Sequence, residues 1–169
     1  MKLIRKISLA KWANSIDKNA DGFSADAITG CLRTSENTLS VWRDGDDGSG
    51  DKSLLALLAS QTRIDKLDLI RLNQSEVESR NLLLVATPGN TAAEKYSNNH
   101  LDISNLDLDS LRSVAELVKQ EVLNERSERI SKAKFIELLL KGIEDGDVNE
   151  KALSAEVIKE LEKARAKPN

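Results

Sequence analysis

Residues 82–86 read LLLVA, five apolar side chains in a row. A strand with one wet face alternates polar and apolar residues. An unbroken short apolar run instead predicts a strand covered on both faces, the habit of sheets clothed by helices on either side. This reading sets the expectation for the whole first half of the chain.

Upstream, residues 66–72 form a second strand-like run. Between the two, Ser75 and Glu78 have the spacing of a helix capping box. Residues 51–61, DKSLLALLASQ, place Leu54, Leu55, Leu57 and Leu58 around a helix too apolar for a surface position, so it is buried. Residues 38–43, TLSVWR, are β-branched, aromatic and alternating: Leu39 and Val41 face one way, Ser40 and Trp42 the other. Ser24 caps a short helix running to Cys31, and residues 2–9 make a further strand. Strand and helix thus alternate over residues 1–87. The order predicts a small α/β layer with a parallel or mixed sheet of about four strands and interleaved helices.

Downstream the character changes. Pro88 and Gly89 end the apolar run, and residues 89–105 read as a polar linker in which Thr91 and Glu94 cap one helical turn. Leu108, Leu111, Ala115, Val118 and Val122 recur at intervals of three and four, one stripe on a helix, with Asp107 and Asp109 at its positive end. Ser131 opens a second helix carrying Phe135, Ile136, Leu139 and Ile143 and closed by Gly146; Ser154 opens a third with Val157, Ile158 and Leu161. The expected organisation is therefore an α/β lobe over 1–88, a linker over 89–105 and a three-helix lobe over 106–169 with a frayed basic tail.

Composition removes several functions. The chain of 169 residues has a net charge of -3, so no strong field steers it to nucleic acid or to an anionic membrane. Aromatic residues are 3%, too few for a base-stacking platform. No apolar run approaches the roughly 20 residues needed to cross a bilayer. Arg5, Lys6 and Lys11 interrupt the apolar N-terminal stretch, so no signal peptide is expected there. With one cysteine, the expected setting is a reducing, cytoplasmic one of bacterial type.

Motifs are sparse. In residues 17–28, DKNADGFSADAI, the residues Asp17, Asn19, Asp21 and Gly22 resemble the first half of an EF-hand loop, but Ile28 stands where the bidentate glutamate belongs. Asp145, Asp147, Asn149 and Glu156 make a second half-match, with Glu150 in the place of the turn glycine. The expectation is that neither holds a metal. Cys31 reads as a packed thiol and His100 as a solvated linker residue; a nucleophile–base pair would need them adjacent in space. No phosphate-binding glycine loop, nucleophile elbow or zinc-protease signature occurs, and no cofactor is expected. Arg126, Arg129, Lys132 and Lys134 are interleaved with Glu121, Glu125, Glu128 and Glu137, the pattern of a mixed-charge surface.

These observations lead us to expect a non-enzymatic protein-binding accessory subunit or adaptor of a bacterial multi-protein assembly, such as an immunity or antitoxin-like component of a defence system. Its partner is another protein chain in a hetero-oligomer, met through Leu111, Val118, Val122, Phe135, Leu139 and Trp42, because a small layer cannot cover every stripe. The alternative is a small enzyme whose site draws on dispersed residues such as Arg5, Arg33, Ser40, Arg43 and Asp44. A nucleic-acid-associated subunit is the third reading.

Overall fold

The computed structural model describes residues 1–16, 24–45 and 50–166. Its elements in chain order are β1 (Lys2–Ile7), α1 (Leu9–Ile16), α2 (Ala25–Cys31), β2 (Leu39–Asp44), α3 (Gly50–Ala59), β3 (Leu67–Asn73), α4 (Gln74–Ser79), β4 (Leu83–Ala86), a 3-10 helix (Glu94–Asn99), β5 (His100–Ser104), α5 (Leu108–Leu123), β6 (Ser127–Ile130), α6 (Lys132–Glu144), a short 3-10 turn (Glu150–Ala152) and α7 (Ala155–Arg165).

The six strands form one sheet in the order β4-β5-β2-β1-β3-β6, and every neighbouring pair is antiparallel. The expected count of four strands and a parallel or mixed sheet is thereby corrected. Strand–helix alternation suggests parallel crossovers, and β2 to β3, β3 to β4 and β5 to β6 do run in the same sense, but an oppositely directed strand always lies beside each of them, so no parallel pair forms. The two unforeseen strands, β5 and β6, are short and rich in polar residues.

Helices cover both faces, and strand alternation sorts the side chains between two cores. Leu3 and Ile7 of β1, Leu39 and Val41 of β2, Ile70 and Leu72 of β3 and Leu101 and Ile103 of β5 share the first core with Trp12, Val77 and the inner face of α5. Ile4, Trp42 and Leu69 share the second with α3, α6 and α7. Each fully buried Leu or Phe contributes roughly 1.5–3 kcal/mol against leaving it exposed, so a covered face on either side makes the sheet the spine of the molecule.

The C-terminal helices do not gather into a lobe of their own. Leu111, Val118 and Val122 turn α5 onto the first face, whereas Phe135 and Leu139 turn α6 onto the second. Between these helices the chain crosses the sheet edge as β6. The expected linker, 89–105, contributes β5, an inner strand. The caps expected from sequence at Ser131 and Ser154 are in position, and Asp107, expected only to complement the helix dipole, caps α5 in a box with Ser110. At α4 the cap is Asn73, whose side chain accepts from the Ser75 N–H, in place of the expected Ser75–Glu78 box.

LLLVA is not covered on both faces. β4 is an outermost strand: Leu82, just before it, is buried and Leu84 packs on the first core, but Leu83 is 50% exposed and Val85 38%. The run is apolar although helices leave one of its faces open.

Candidate functional site

β1 pairs with β3 along its whole length, from Lys2 opposite Asn73 to Ile7 opposite Asp68. On its other side the pairing is partial: Lys2, Leu3 and Ile4 register with Asp44, Arg43 and Trp42 of β2, and the ladder stops there. Past Ile4 the two strands fork. Arg5 spans the opening. Its Nη1 donates to the Ser40 carbonyl at 2.6 Å and its Nη2 to the Cys31 carbonyl at 2.8 Å. The guanidinium thus replaces ladder hydrogen bonds that a continued strand pair would make.

A cavity of about 460 Å³ occupies the fork and draws on both faces of the sheet: Arg5, Lys6 and Ser8 beside β1, Cys31 at the end of α2, Ser40 and Trp42 of β2, Gln61 after α3 and His100 of β5. Arg5 and Lys6 are its charged lining, and among the described residues no carboxylate lines it. Lys6 Nζ is steadied by Gln61 Oε1 at 2.7 Å. An adjoining cavity of about 240 Å³ shares Lys6, Ser8 and Gln61.

Burial pulls the Arg5 guanidinium down to about 10, opposed by the charges of Cys31 and Asp102. It stays cationic near neutral pH. Its Nε is sealed from solvent and has no hydrogen-bond partner. Burial also lowers Lys6, with the charges of Arg63 and Arg5 adding to the effect and Asp65 opposing it.

Behind the cavity a polar relay ties β2 to β5. Ser40 is in register with Asp102. The Asp102 carboxylate accepts from Ser40 Oγ at 3.3 Å and from Thr87 Oγ1 at 2.7 Å. His100 Nδ1 lies 3.0 Å from both the Thr87 carbonyl and Thr87 Oγ1. Because the Thr87 hydroxyl hydrogen goes to Asp102 and a carbonyl only accepts, Nδ1 carries the imidazole hydrogen, and a neutral His100 keeps Nε2 as an acceptor. The ring meets Trp42 edge-on, centroids 5.0 Å apart. His100 is 8% exposed, which corrects the solvated linker histidine expected from sequence. It is the first residue of an inner strand.

The sequence-expected residues divide clearly. Cys31 is 4% exposed, as expected of a packed thiol, and accepts a hydrogen bond from the Ser8 N–H at 3.1 Å. Cys31 and His100 line one cavity, Cys31 as the last residue of α2 and His100 as the first of β5. Of the dispersed polar set, Arg5 and Ser40 converge. Asp44 pairs instead with Arg71 at 2.7 Å, Arg43 sits opposite Leu3, and Arg33 is exposed. The proposed contact residues Val118, Val122, Phe135, Leu139 and Trp42 are all buried in the chain's own cores, and Leu111 is partly buried against the first. The corrected reading is that the sheet's two faces absorb these stripes, so they present no partner groove.

Asp17, Asn19 and Asp21 lie outside the described residues. In the second half-match, Asp147 accepts from Lys95 Nζ at 3.1 Å, Asn149 caps the Glu150–Ala152 turn and Glu150 pairs with Arg165. Among the described residues no three His, Cys, Asp or Glu side chains converge as metal ligands, and no helix is long and apolar enough to cross a membrane. In the mixed-charge cluster, Arg126 meets Glu121, Arg129 meets Asp68, Lys132 meets Glu160 and Lys134 meets Glu137.

No family model, curated protein or solved structure matches this chain.

Proposed function

We propose that the protein is a non-catalytic protein-binding subunit that receives an extended segment of a partner chain along β4. The observation that carries this reading is the contrast between the two sheet edges. β6 has the devices that keep natural edges from pairing: Glu128 and Arg129 sit within its four residues, ion-paired to Arg71 and Asp68 of β3. β4 has neither charge nor proline within Leu83–Ala86, and its alternate residues Leu83 and Val85 are exposed.

An added strand gains main-chain hydrogen bonds from the open side of β4, and its alternate side chains meet Leu83 and Val85. Turnover has less support. Both perturbed groups at the fork cavity, Arg5 and Lys6, are cations suited to holding a ligand, and arginine is a poor proton donor at neutral pH.

The test starts with recovery of co-purifying chains by the wild type and by Leu83→Lys/Val85→Lys. The recovered chain is then purified and its binding followed by amide hydrogen exchange. Protection at Leu83–Ala86, lost in the double variant, supports the reading. Protection elsewhere, equal binding by the variant, or a wild-type dimer that the variant abolishes would each overturn it.

A further inference from the structure

We infer that the fork cavity between β1 and β2 is a binding site for the oxyanion group, phosphate or carboxylate, of a small organic molecule, with Arg5 and Lys6 as its cationic receptors. This inference is independent of the β4 edge and rests on how the fork is built. The cavity volume, about 460 Å³, falls within the roughly 300–1,000 Å³ of sites that hold small organic ligands.

Charge balance gives the ligand class. Two cations line the cavity, and among the described residues no acid lines it. Elsewhere on this protein Arg126, Arg129, Lys132 and Lys134 have carboxylate partners. Here Arg5 donates to two uncharged carbonyls and Lys6 to an uncharged amide. Asp102, the carboxylate whose charge acts on Arg5, accepts from the Thr87 and Ser40 hydroxyls. Asp65 only partly offsets the effect of the Arg5 charge on Lys6, and an oxyanion in the fork that both side chains line relieves that repulsion.

Hydrogen-bond accounting points the same way. A guanidinium has five N–H donors. Arg5 uses two of them on the Ser40 and Cys31 carbonyls, and its Nε remains sealed and unpartnered. A hydrophobic side chain would fill a sheet fork at less cost, since an orphaned buried donor destabilises a fold by roughly 1–3 kcal/mol. An arginine fixed at two points, with one further N–H uncommitted on each of Nη1 and Nη2, is a pre-oriented anion receptor. Gln61 holds Lys6 in a comparable way. The Ser8 hydroxyl adds a neutral donor in the same space, the Ser40 and Ser60 hydroxyls already donating to Asp102 and the Leu57 carbonyl, while Ile4, Leu57 and Trp42 supply an apolar wall for the rest of the molecule.

The test uses the wild-type chain titrated with sodium phosphate and, separately, sodium malonate, at ionic strength held constant with chloride. The readouts are the Arg5 Nε–Hε resonance and the melting temperature. A saturable shift of that resonance with a rise in melting temperature supports the site. Response to phosphate alone, to malonate alone or to both assigns the oxyanion. Lys6→Gln, at a surface-reaching position, should weaken binding by roughly 10-fold or more, the loss of one charged hydrogen bond. Arg5→Lys should abolish the saturable response; should that variant fail to fold, the wild-type resonance and Lys6→Gln decide the matter. No saturable shift with either anion, a response matched by chloride, or unchanged affinity in Lys6→Gln would each overturn the inference.

Discussion

Gly89 lies so close to Trp42 that a Cβ built on it would stand 2.5 Å from the indole Cη2 and 2.9 Å from Cζ2. The same Cβ would meet the Cβ of His100 at 2.9 Å. Gly89 N donates to the Ser97 carbonyl at 2.9 Å, which fixes the loop over the ring pair. The glycine is therefore required by space: the backbone itself forms the lid over Trp42 and His100.

Gly89→Ala should accordingly destabilise the protein by about 1–3 kcal/mol, the usual cost of overpacking a well-filled site. Trp42→Ala, which empties the space beneath, should cost about 3–5 kcal/mol. Urea unfolding of each variant measures both. A neutral Gly89→Ala would show that the loop lifts freely off the ring pair and that no lid exists.

Acid stability should depend on Asp68. Its carboxylate accepts from Arg129 Nε at 2.6 Å, from Arg129 Nη2 at 3.2 Å and from the Leu9 N–H at 3.1 Å. Burial pushes the group up, but these hydrogen bonds and the charges of Arg129 and Lys66 outweigh it, and the net displacement is downward. A carboxylate lowered in the folded state contributes stability that is fully present above its unfolded value of about 3.9 and is lost as pH falls through the folded value. Unfolding free energies of wild type and Asp68→Asn, compared from neutral pH down into the acid range, should converge below about pH 4. Parallel curves at every pH would remove Asp68 from the acid response.

A fragment ending at residue 88 should not fold. It keeps β1, β2 and β3 but lacks β5, which joins β4 to β2, and it lacks α5, α6 and α7, which cover the two faces. Loss of a cooperative thermal transition and collapsed amide dispersion in the fragment are the expected results. A fragment with a sharp melt would restore the division into an α/β lobe and a helical lobe.

Periodicity and capping made a large share of the elements legible. β2 was read from TLSVWR, α5 from its three-four stripe, and α6 and α7 from Ser131 and Ser154. These signals are local, carried by residues a few positions apart. The signals that failed are those whose cause lies far along the chain. HLDIS and SERI are four or five residues of mixed polarity, and only the strands beside them make them strands. LLLVA has the composition of a central strand and the position of an edge, because neighbour order is set by the whole topology. The fork cavity was harder still. Arg5, Cys31, Ser40, Gln61 and His100 come from five separate segments, and no spacing between them carries information. Arg5 and Ser40 were named among polar candidates without any sign that one would bridge to the other's carbonyl.

The order β4-β5-β2-β1-β3-β6 also has a consequence for how the chain is made. The three middle strands are the first three in sequence, so synthesis delivers the centre of the sheet before either flank. Until β5 emerges, β2 has a bare margin; until β6 emerges, so does β3. Both margins stand open until residue 104 and one until residue 130, and before α5, α6 and α7 are made only α1, α2, α3 and α4 cover the two apolar faces. Such a chain is prone to pair with its neighbours on a polysome. Newly made protein should thus depend on a holding chaperone between the synthesis of residue 73 and that of residue 130, even though the finished molecule closes one margin with ion pairs.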